Sequence, residues 1–427
     1  MVVGLTSRCQ SGLTANDHVV VFFGSKTDTA YRYQPNARRD FLLTLLVIVL
    51  LAIHLISTNL ASAAPLMSIW LDRPTDSGDS SRGDLGRRLA RMAVAALLLA
   101  TLTGAGLILA PPSARLADVL RRFPAGAYWS AGSELVFSLV CLLVYAGCWN
   151  RWRRWRWLHA GVALLSVTNL LYHFPALMIV ISKLATDPGW TTSAVIERSE
   201  LIRLALCSEV LSLTLHYVLA SIAVSGVAVL WMLARNGDLT TDPAATRRVA
   251  RVAAGVGLFA SLAQLPVGVW VLMSTTGPIR GALLGEALLP SLLLGVGILL
   301  TLLLLQKLAA VMLGEVEFEK LPRLGWLLFA IVFSMVAMLS LARADRSTDP
   351  AQVEMKTAGE KLAPRPFIAA SSNGQALAKQ WVPSTSSYRR VPRDPSLGVD
   401  MPKPLPEPGC VTRTNRPSAA LSSPAAA

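Results

Sequence analysis

Apolar runs of about 20 residues recur through the first 343 residues, and they constrain the fold more than any other feature. Each run is long enough to cross a hydrocarbon layer of roughly 30 Å as a helix. Only 15% of the residues are charged, whereas a soluble domain carries about 25%. Because a lone strand cannot satisfy its backbone polar groups in lipid, every crossing must be a helix. The sequence therefore predicts an all-α, polytopic integral membrane bundle in the lipid bilayer.

Eight such runs predict eight transmembrane helices within residues 41–343. Residues 1–40 are mixed and polar, which predicts a disordered N-terminal segment without the features of a signal peptide. The first apolar run is therefore predicted to be an uncleaved anchor. Residues 344–427 are rich in Pro, Ser and Ala and predict a disordered tail. The predicted spans are about 41–66, 89–110, 132–149, 158–182, 205–234, 250–274, 282–306 and 324–342.

The loops between the spans predict the orientation of the chain. Loops after the odd-numbered spans hold sixteen Arg and Lys residues, and those after the even-numbered spans hold seven. The positive-inside rule places the richer loops in the cytoplasm, so both termini are predicted outside a cell inner (cytoplasmic) membrane. Residues 151–157 alternate Arg with Trp, which indicates an anchor at the membrane surface. A specific lipid or nucleotide site is the alternative for that run.

Several functional classes are disfavoured by composition and motifs. The net charge of +14 comes largely from these loops, and no basic soluble domain is present, so nucleic acid is not a predicted partner. The five cysteines form neither CxxC nor CxxCH, which disfavours covalent c-type haem and a clustered zinc site. A Walker loop, a dinucleotide-binding glycine motif and HExxH are also missing.

Three histidines within the apolar segments are the strongest functional signal: His54, His173 and His216. An ionisable residue at membrane depth is functional by default, and histidine both ligates haem iron and carries protons. At about 1.5 Å per residue, His173 and His216 share a depth roughly 5 Å outside the midplane. They are the predicted axial ligands of one haem iron, and His54 is predicted to serve a second haem or a proton path. The alternative is that these histidines are hydrogen-bonded between helices without a cofactor.

Further polar residues surround the predicted ligands. Asn169 lies one helical turn before His173 and is predicted to hydrogen-bond its ring. Glu209 precedes His216 by two turns and is predicted to relay protons or to contact a quinol hydroxyl. Glu134 and Glu209 are both predicted near the outer ends of their spans. The alternative to a role in proton transfer is therefore that these acids simply lie in the outer membrane–water interface. The candidate proton or quinol contacts are Glu134, Glu209 and the mid-membrane Gln264.

The arrangement of residues 41–310 resembles cytochrome bd-type quinol oxidase subunit I and related multi-helix membrane haem b proteins. The shared features are histidines in early spans, an outside N-terminus and membrane acids near the outer face, whereas the GRQPW-type signature is missing. The resemblance implies haem binding by His54 and His216 and proton transfer by Glu134. His173 would replace the methionine ligand of that family.

We therefore expect an integral membrane haem b protein in electron transfer, with a quinol as candidate donor. Respiratory or electron-transfer subunits are its candidate partners. One alternative is a small-molecule or ion transporter that uses the same polar residues as its pathway. Another is a structural or assembly membrane protein without a cofactor. Whether the chain belongs to a membrane oxidoreductase is left open by the sequence.

Overall fold

The computed structural model describes residues 37–73, 81–109, 114–152, 155–187, 190–191, 193–235, 243–315 and 317–347. Eight helices within these ranges are long and apolar enough to cross a membrane, which confirms the predicted number of spans. No strand occurs in these ranges, so the all-α class is confirmed for them. Disorder was predicted for residues 1–40 and 344–427, but residues 37–40 and 344–347 belong to the first and last helices. The rest of both segments lies outside the described residues.

Most spans are longer than predicted, and short helices connect some of them. The eight candidate spans lie in α1 (Ala37–Leu71), α2 (Ser81–Leu109), α4 (Ala125–Gly147), α5 (Arg156–Thr186), α7 (Ser208–Arg235), α8 (Pro243–Ser274), α10 (Leu288–Leu313) and α11 (Pro322–Ser347). Between them lie the short helices α3 (Ala114–Arg121), α6 (Arg198–Ala205) and α9 (Gly277–Gly281).

Helix α4 begins earlier than the sequence indicated. The predicted span started at residue 132, whereas the helix starts at Ala125, directly after Pro124. Proline suits the start of a helix because the backbone N–H groups there have no partner within the helix, and proline has no N–H group. Gly126 and Gly132 reduce the apolar character of the first turns, which obscured them in the sequence. Glu134 consequently lies near the middle of α4, so its predicted place at the outer end was wrong.

Helices α7 and α8 form the most extensive contact in the bundle. A Cβ atom added to Gly226 would lie 2.7 Å from the Ala253 carbonyl oxygen and 3.0 Å from the Gly257 nitrogen. Small residues at such a crossing let two membrane helices approach closely, which maximises their van der Waals contact. Side chains from α1, α2, α10 and α11 complete the buried core around this contact, including Leu89 and Leu308.

Polar side chains join α1 to α7 inside the apolar part of the bundle. The Ser221 hydroxyl donates to Asn59 Oδ1 at 2.8 Å, and the Ser62 and Tyr217 hydroxyl oxygens lie 3.1 Å apart. Asn59, Ser62 and Ser221 are buried. Because hydrocarbon offers no hydrogen-bond partners, these mutual bonds fix the register between the two helices.

Helices α4 and α5 are joined by a similar polar contact. The Ser166 hydroxyl donates to the Ser138 carbonyl at 3.1 Å, and the Asn169 amide donates to the Ser138 hydroxyl at 2.8 Å. Ser138 and Ser166 are fully buried. Apolar side chains flank this contact, and Leu142 of α4 packs in one cluster with Leu170 of α5.

A capping segment, made of α3, α6 and the described residues between α5 and α6 (187, 190–191 and 193–197), lies at the predicted outer side. Val119 and Leu204 bury their side chains against Leu184 near the end of α5. The backbone nitrogen of Ile196 donates to the Arg122 carbonyl at 2.8 Å, which ties the connecting chain to the end of α3. The segment is therefore packed onto the bundle rather than held by its chain connections alone.

Glu200 is the main polar link within the capping segment. Its carboxylate pairs with Arg203 at 2.6 Å and accepts a hydrogen bond from the Thr191 hydroxyl at 2.7 Å. The hydrogen bonds from Arg203 and then from Thr191 favour the charged form and lower the pKa of Glu200 from 4.5 to about 2. The capping segment is consequently sensitive to acid.

Pro266 and Gly285, two residues that can interrupt a helix, have different effects on the later spans. Pro266 lies inside α8, and the helix continues through it to Ser274. The chain instead turns at Gly285, whose φ of 126° is rarely adopted by residues with a side chain. A π-helical turn, Ala282–Glu286, ends there, and α10 begins at Leu288, later than the predicted start at residue 282.

Replacing Gly226 with Ala is expected to destabilise the bundle, because the added methyl group would meet the α8 backbone. We expect the free energy of unfolding to fall by about 1–3 kcal/mol, measured by circular dichroism during titration with a denaturing detergent. Gly268→Ala is the control, since no atom lies within 4 Å of a Cβ atom there. Equal stability of the two variants would contradict the close α7–α8 contact.

The capping segment is expected to loosen in acid. A carboxyl group with a lowered pKa stabilises the fold above its unfolded pKa, and this contribution is lost as the pH falls toward the folded pKa. For Glu200 that interval runs from about pH 4.5 down to about pH 2. Hydrogen exchange of residues 187–205, corrected for intrinsic rates, should show protection falling there. In Glu200→Gln the same residues should be less protected from exchange at neutral pH, and their protection should change less as the pH falls. An identical dependence of protection on pH in the variant and the parent would refute the assignment.

Candidate functional site

Three of the polar residues singled out by the sequence lie near the middle of their candidate spans. His54, Glu134 and His173 are each two residues from the middle of their spans, which is about 3 Å along a helix axis. His216 lies about 8 Å from the middle of its span, toward the predicted outer side. Measured along the helices, the distances of His173 and His216 from the middle of their spans differ by about one helical turn.

His54 of α1 is oriented by α2. Its Nδ1 donates to the Ala100 carbonyl at 2.9 Å, with the Thr103 hydroxyl oxygen 3.3 Å away. The ring packs over Gly104, where an added Cβ atom would lie 3.0 Å from Cε1. Since a carbonyl oxygen can only accept, Nδ1 carries the proton in the neutral ring and Nε2 carries the lone pair.

His173 of α5 lies beside Glu134 of α4. Its Nδ1 is 3.5 Å from Glu134 Oε2, and the two side chains are 48% and 32% exposed, respectively. The Asn169 amide, predicted to bond the His173 ring, donates instead to the Glu134 carbonyl at 2.8 Å and to Ser138. The structure therefore brings His173, Glu134 and Asn169 together, with Asn169 joining the two helices.

His216 of α7 has a ring nitrogen that the bundle leaves without a partner. Its Nδ1 is buried, and no described residue hydrogen-bonds it. The hydroxyl of Thr214, two residues earlier, is likewise buried and unpaired among the described residues. A buried polar atom without a partner costs free energy, so it is expected where a further group supplies the missing contact. His216 is thus the site residue best suited to hold such a group.

Glu209 lies in the first turn of α7, the end predicted to face outside, and forms an ion pair that the sequence did not indicate. Its Oε2 is 2.6 Å from Nζ of Lys183 near the end of α5. Nζ of Lys183 also lies 5.9 Å from the ring centre of Trp190 in the capping segment. Glu209 lies two turns from His216 on nearly the same face of α7. The contact with Lys183 shows that Glu209 is on the side of α7 that meets α5.

Gln264 of α8 lies at the depth of His216. Trp270 of α8 donates to the Ser208 hydroxyl at the start of α7 at 2.9 Å, while Gly226 meets Gly257 further along. In this antiparallel register residue 264 lies level with residue 216 along the helix axes. The amide of Gln264 makes no side-chain hydrogen bond to the described residues.

A fourth membrane histidine, His159, was missed by the sequence reasoning. It is buried near the start of α5, where Nε2 donates to the Tyr145 carbonyl at 2.8 Å. Its ring centre lies 4.3 Å from that of Tyr145 and 5.1 Å from that of Trp149. The signal in the sequence was the aromatic cluster around it. His159 is the hydrogen-bonded structural histidine that was the alternative interpretation for the other three.

The site residues form separate pairs and single groups rather than one cluster. Among the described residues, no three His, Cys, Asp or Glu side chains could together hold a metal ion. A haem iron needs only one or two protein ligands, because the porphyrin supplies the other four. The arrangement can therefore offer axial imidazole ligands, a carboxylate–histidine pair and a carboxylate–lysine pair, each on different helices.

The fold is similar to that of a solved oxidase. A chain of the bd oxidase from Geobacillus thermodenitrificans aligns with 71% of this chain and 85% of its own length, with a TM-score of 0.51. The two sequences are 13% identical, so the likeness concerns the fold alone. No protein-family model matches the chain, and no curated protein matches it at a significant level. The likeness confirms the resemblance that the arrangement of spans predicted.

Replacing His159 with Ala is expected to destabilise the protein, because it removes a buried hydrogen bond and empties the space between two aromatic rings. We expect a loss of at least about 2 kcal/mol in the free energy of unfolding, measured by the same detergent titration. His159→Gln keeps a donor for the Tyr145 carbonyl and should recover part of that loss. Unchanged stability of the alanine variant would show that His159 is not structural.

Proposed function

We propose that this chain is an integral membrane haem b protein that transfers electrons, with a quinol as its donor. The observation that carries the proposal is the buried, unpaired Nδ1 of His216. No hydrogen bond to a described residue fixes the tautomer of this ring, so either nitrogen can offer its lone pair to iron. Imidazole is the common protein ligand of a haem iron. The likeness to a bd oxidase chain supports the proposal at the level of the fold.

His54 is the second proposed iron ligand. Its Nδ1–H is engaged by the Ala100 carbonyl, so the lone pair of Nε2 is free to bind. A hydrogen bond on one nitrogen that fixes the tautomer and strengthens the other as a donor is the usual support of a metal-bound histidine. Because the His54 ring packs against Gly104 of α2, we assign it to a different iron from His216.

The pairing of His173 with His216 on one iron stays a prediction of the sequence. The surroundings of His173 favour another role, since its Nδ1 lies beside Glu134 and about half of its side chain faces outward. His216 differs in both features, because its Nδ1 is buried and no described residue hydrogen-bonds it. We therefore place the ligands at His216 and His54 and test His173 alongside them.

The neighbouring residues would prepare the site for electron and proton transfer. When bound, haem b supplies a couple that accepts and releases one electron. Lys183 pairs with the Glu209 carboxylate at the end of α7 on the predicted outer side, two turns from His216. A carboxylate at this position can accept a proton released by a quinol. The Gln264 amide, level with His216, has donors and an acceptor for a quinol hydroxyl.

Absorption spectroscopy of the purified protein tests this proposal. Protein from haem-replete cells should show reduced-minus-oxidised Soret and alpha bands, and His216→Ala and His54→Ala should each remove part of them. Imidazole added to His216→Gly should restore the His216-dependent part, because it can replace the missing ring. His159→Gln is the matched control and should keep the full spectrum, since its ring is committed to the Tyr145 carbonyl.

A colourless preparation, or a spectrum unchanged in both ligand variants, would overturn the assignment. Loss of bands in His173→Ala with retention in His54→Ala would favour the His173–His216 pair instead. A quinol analogue should reduce the bound haem, and Gln264→Leu should slow this at least tenfold without altering the spectrum. Equal rates in Gln264→Leu and the parent would remove Gln264 from the quinol site.

A further inference from the structure

Glu134 and His173 form a partly exposed ionisable pair near the middle of their candidate membrane spans. Each lies two residues from the middle of its span, and their side chains are 32% and 48% exposed. Ionisable residues at this depth normally face the interior of a bundle or a water-filled cavity, because hydrocarbon solvates them poorly. The surface that carries the pair is therefore incomplete in a single chain.

This surface, named the α4–α5 face, continues on both sides of the pair. Phe137 lies on the same side of α4 as Glu134. On α5, the Tyr172 ring centre lies 5.1 Å from that of His173, and Leu165, two turns earlier, shares the face of Tyr172. These three apolar side chains are 47%, 55% and 68% exposed. Small polar residues extend the face on α4, and they are the exposed Ser130 and Ser133. The face thus combines a polar centre with an apolar and aromatic border.

We propose that a second copy of this chain covers the α4–α5 face. A two-fold axis through the face would place Glu134 of one copy opposite His173 of the other, and the reverse pair would form at the same time. The carboxylate accepts hydrogen bonds and the imidazole donates them, so the chain carries both halves of a complementary contact. Each carboxylate then has two imidazole neighbours, which removes it from lipid.

The border residues fit the same occupant. Aromatic side chains are enriched in the cores of protein interfaces, and Phe137 and Tyr172 would pack beside the polar centre. The hydroxyls of Ser130 and Ser133 bond within their own helix, to Glu134 Oε1 and to the Ser130 carbonyl, which leaves a smooth surface for a neighbouring helix. This inference does not depend on haem binding at His216 or His54, because neither residue lies on the face.

Cysteine cross-linking in native membranes tests the proposal. In a background without the five natural cysteines, Phe137→Cys should form an oxidised species of twice the 45.8 kDa chain mass. Leu299→Cys is the control, since it lies near the middle of α10 and is more exposed, at 67%. Its dimer yield should be at least tenfold lower. Equal yields, no dimer, or a product with a partner of another mass would each overturn the proposal.

A charge exchange separates a lost interface from a lost fold. Glu134→Lys places a cation opposite His173 and should lower the cross-linked fraction at least tenfold. The double variant Glu134→His with His173→Glu keeps the complementary pair and should return the fraction to within twofold of the parent. Photobleaching of single labelled proteins in liposomes should show the same order of dimer fractions. Failure of the exchange to restore the dimer in a folded protein would refute the Glu134–His173 contact.

Discussion

Polar side chains inside a bilayer must find their partners within the protein, because hydrocarbon supplies none. This constraint organises the whole bundle. The hydrogen bonds between Asn59 and Ser221 and between Asn169 and Ser138 are contacts that set how one helix slides past another. His159 obeys the same rule through the Tyr145 carbonyl. Apolar packing fills the remaining space but distinguishes much less sharply between alternative registers.

Residues that depart from this rule are the informative ones. The buried Nδ1 of His216 has no hydrogen-bond partner in the part of the chain that the structure describes, and Glu134 and His173 pair with each other but are partly exposed. The first departure indicates a group bound within the chain, and the second indicates a surface that another chain covers. The two sites need different partners, because Nδ1 of His216 is buried within the chain whereas the Glu134–His173 pair is partly exposed. Fold likeness to a bd oxidase is compatible with both, yet it specifies neither.

Much of the site could be located from the sequence, but its pairings could not. Rarity of charge within apolar runs was sufficient to mark His54, His173 and Gln264 at membrane depth. The position of Glu134 was misjudged, because glycines near the start of α4 hid the first turns of a helix that begins after Pro124. His159 was overlooked because it follows a run of Arg and Trp, which indicated a position at the membrane surface rather than inside the bundle.

Hydropathy alone determined that the chain is an all-α membrane protein with eight candidate spans among the described residues, since burial in lipid requires only a local run of apolar residues. Tertiary structure decided what each polar residue does. His54 meets the Ala100 carbonyl from 46 residues away, and Glu209 meets Lys183 on another helix. Such contacts depend on the rotation and register of whole helices, which are set by packing between segments distant in the chain and leave no local pattern in the sequence.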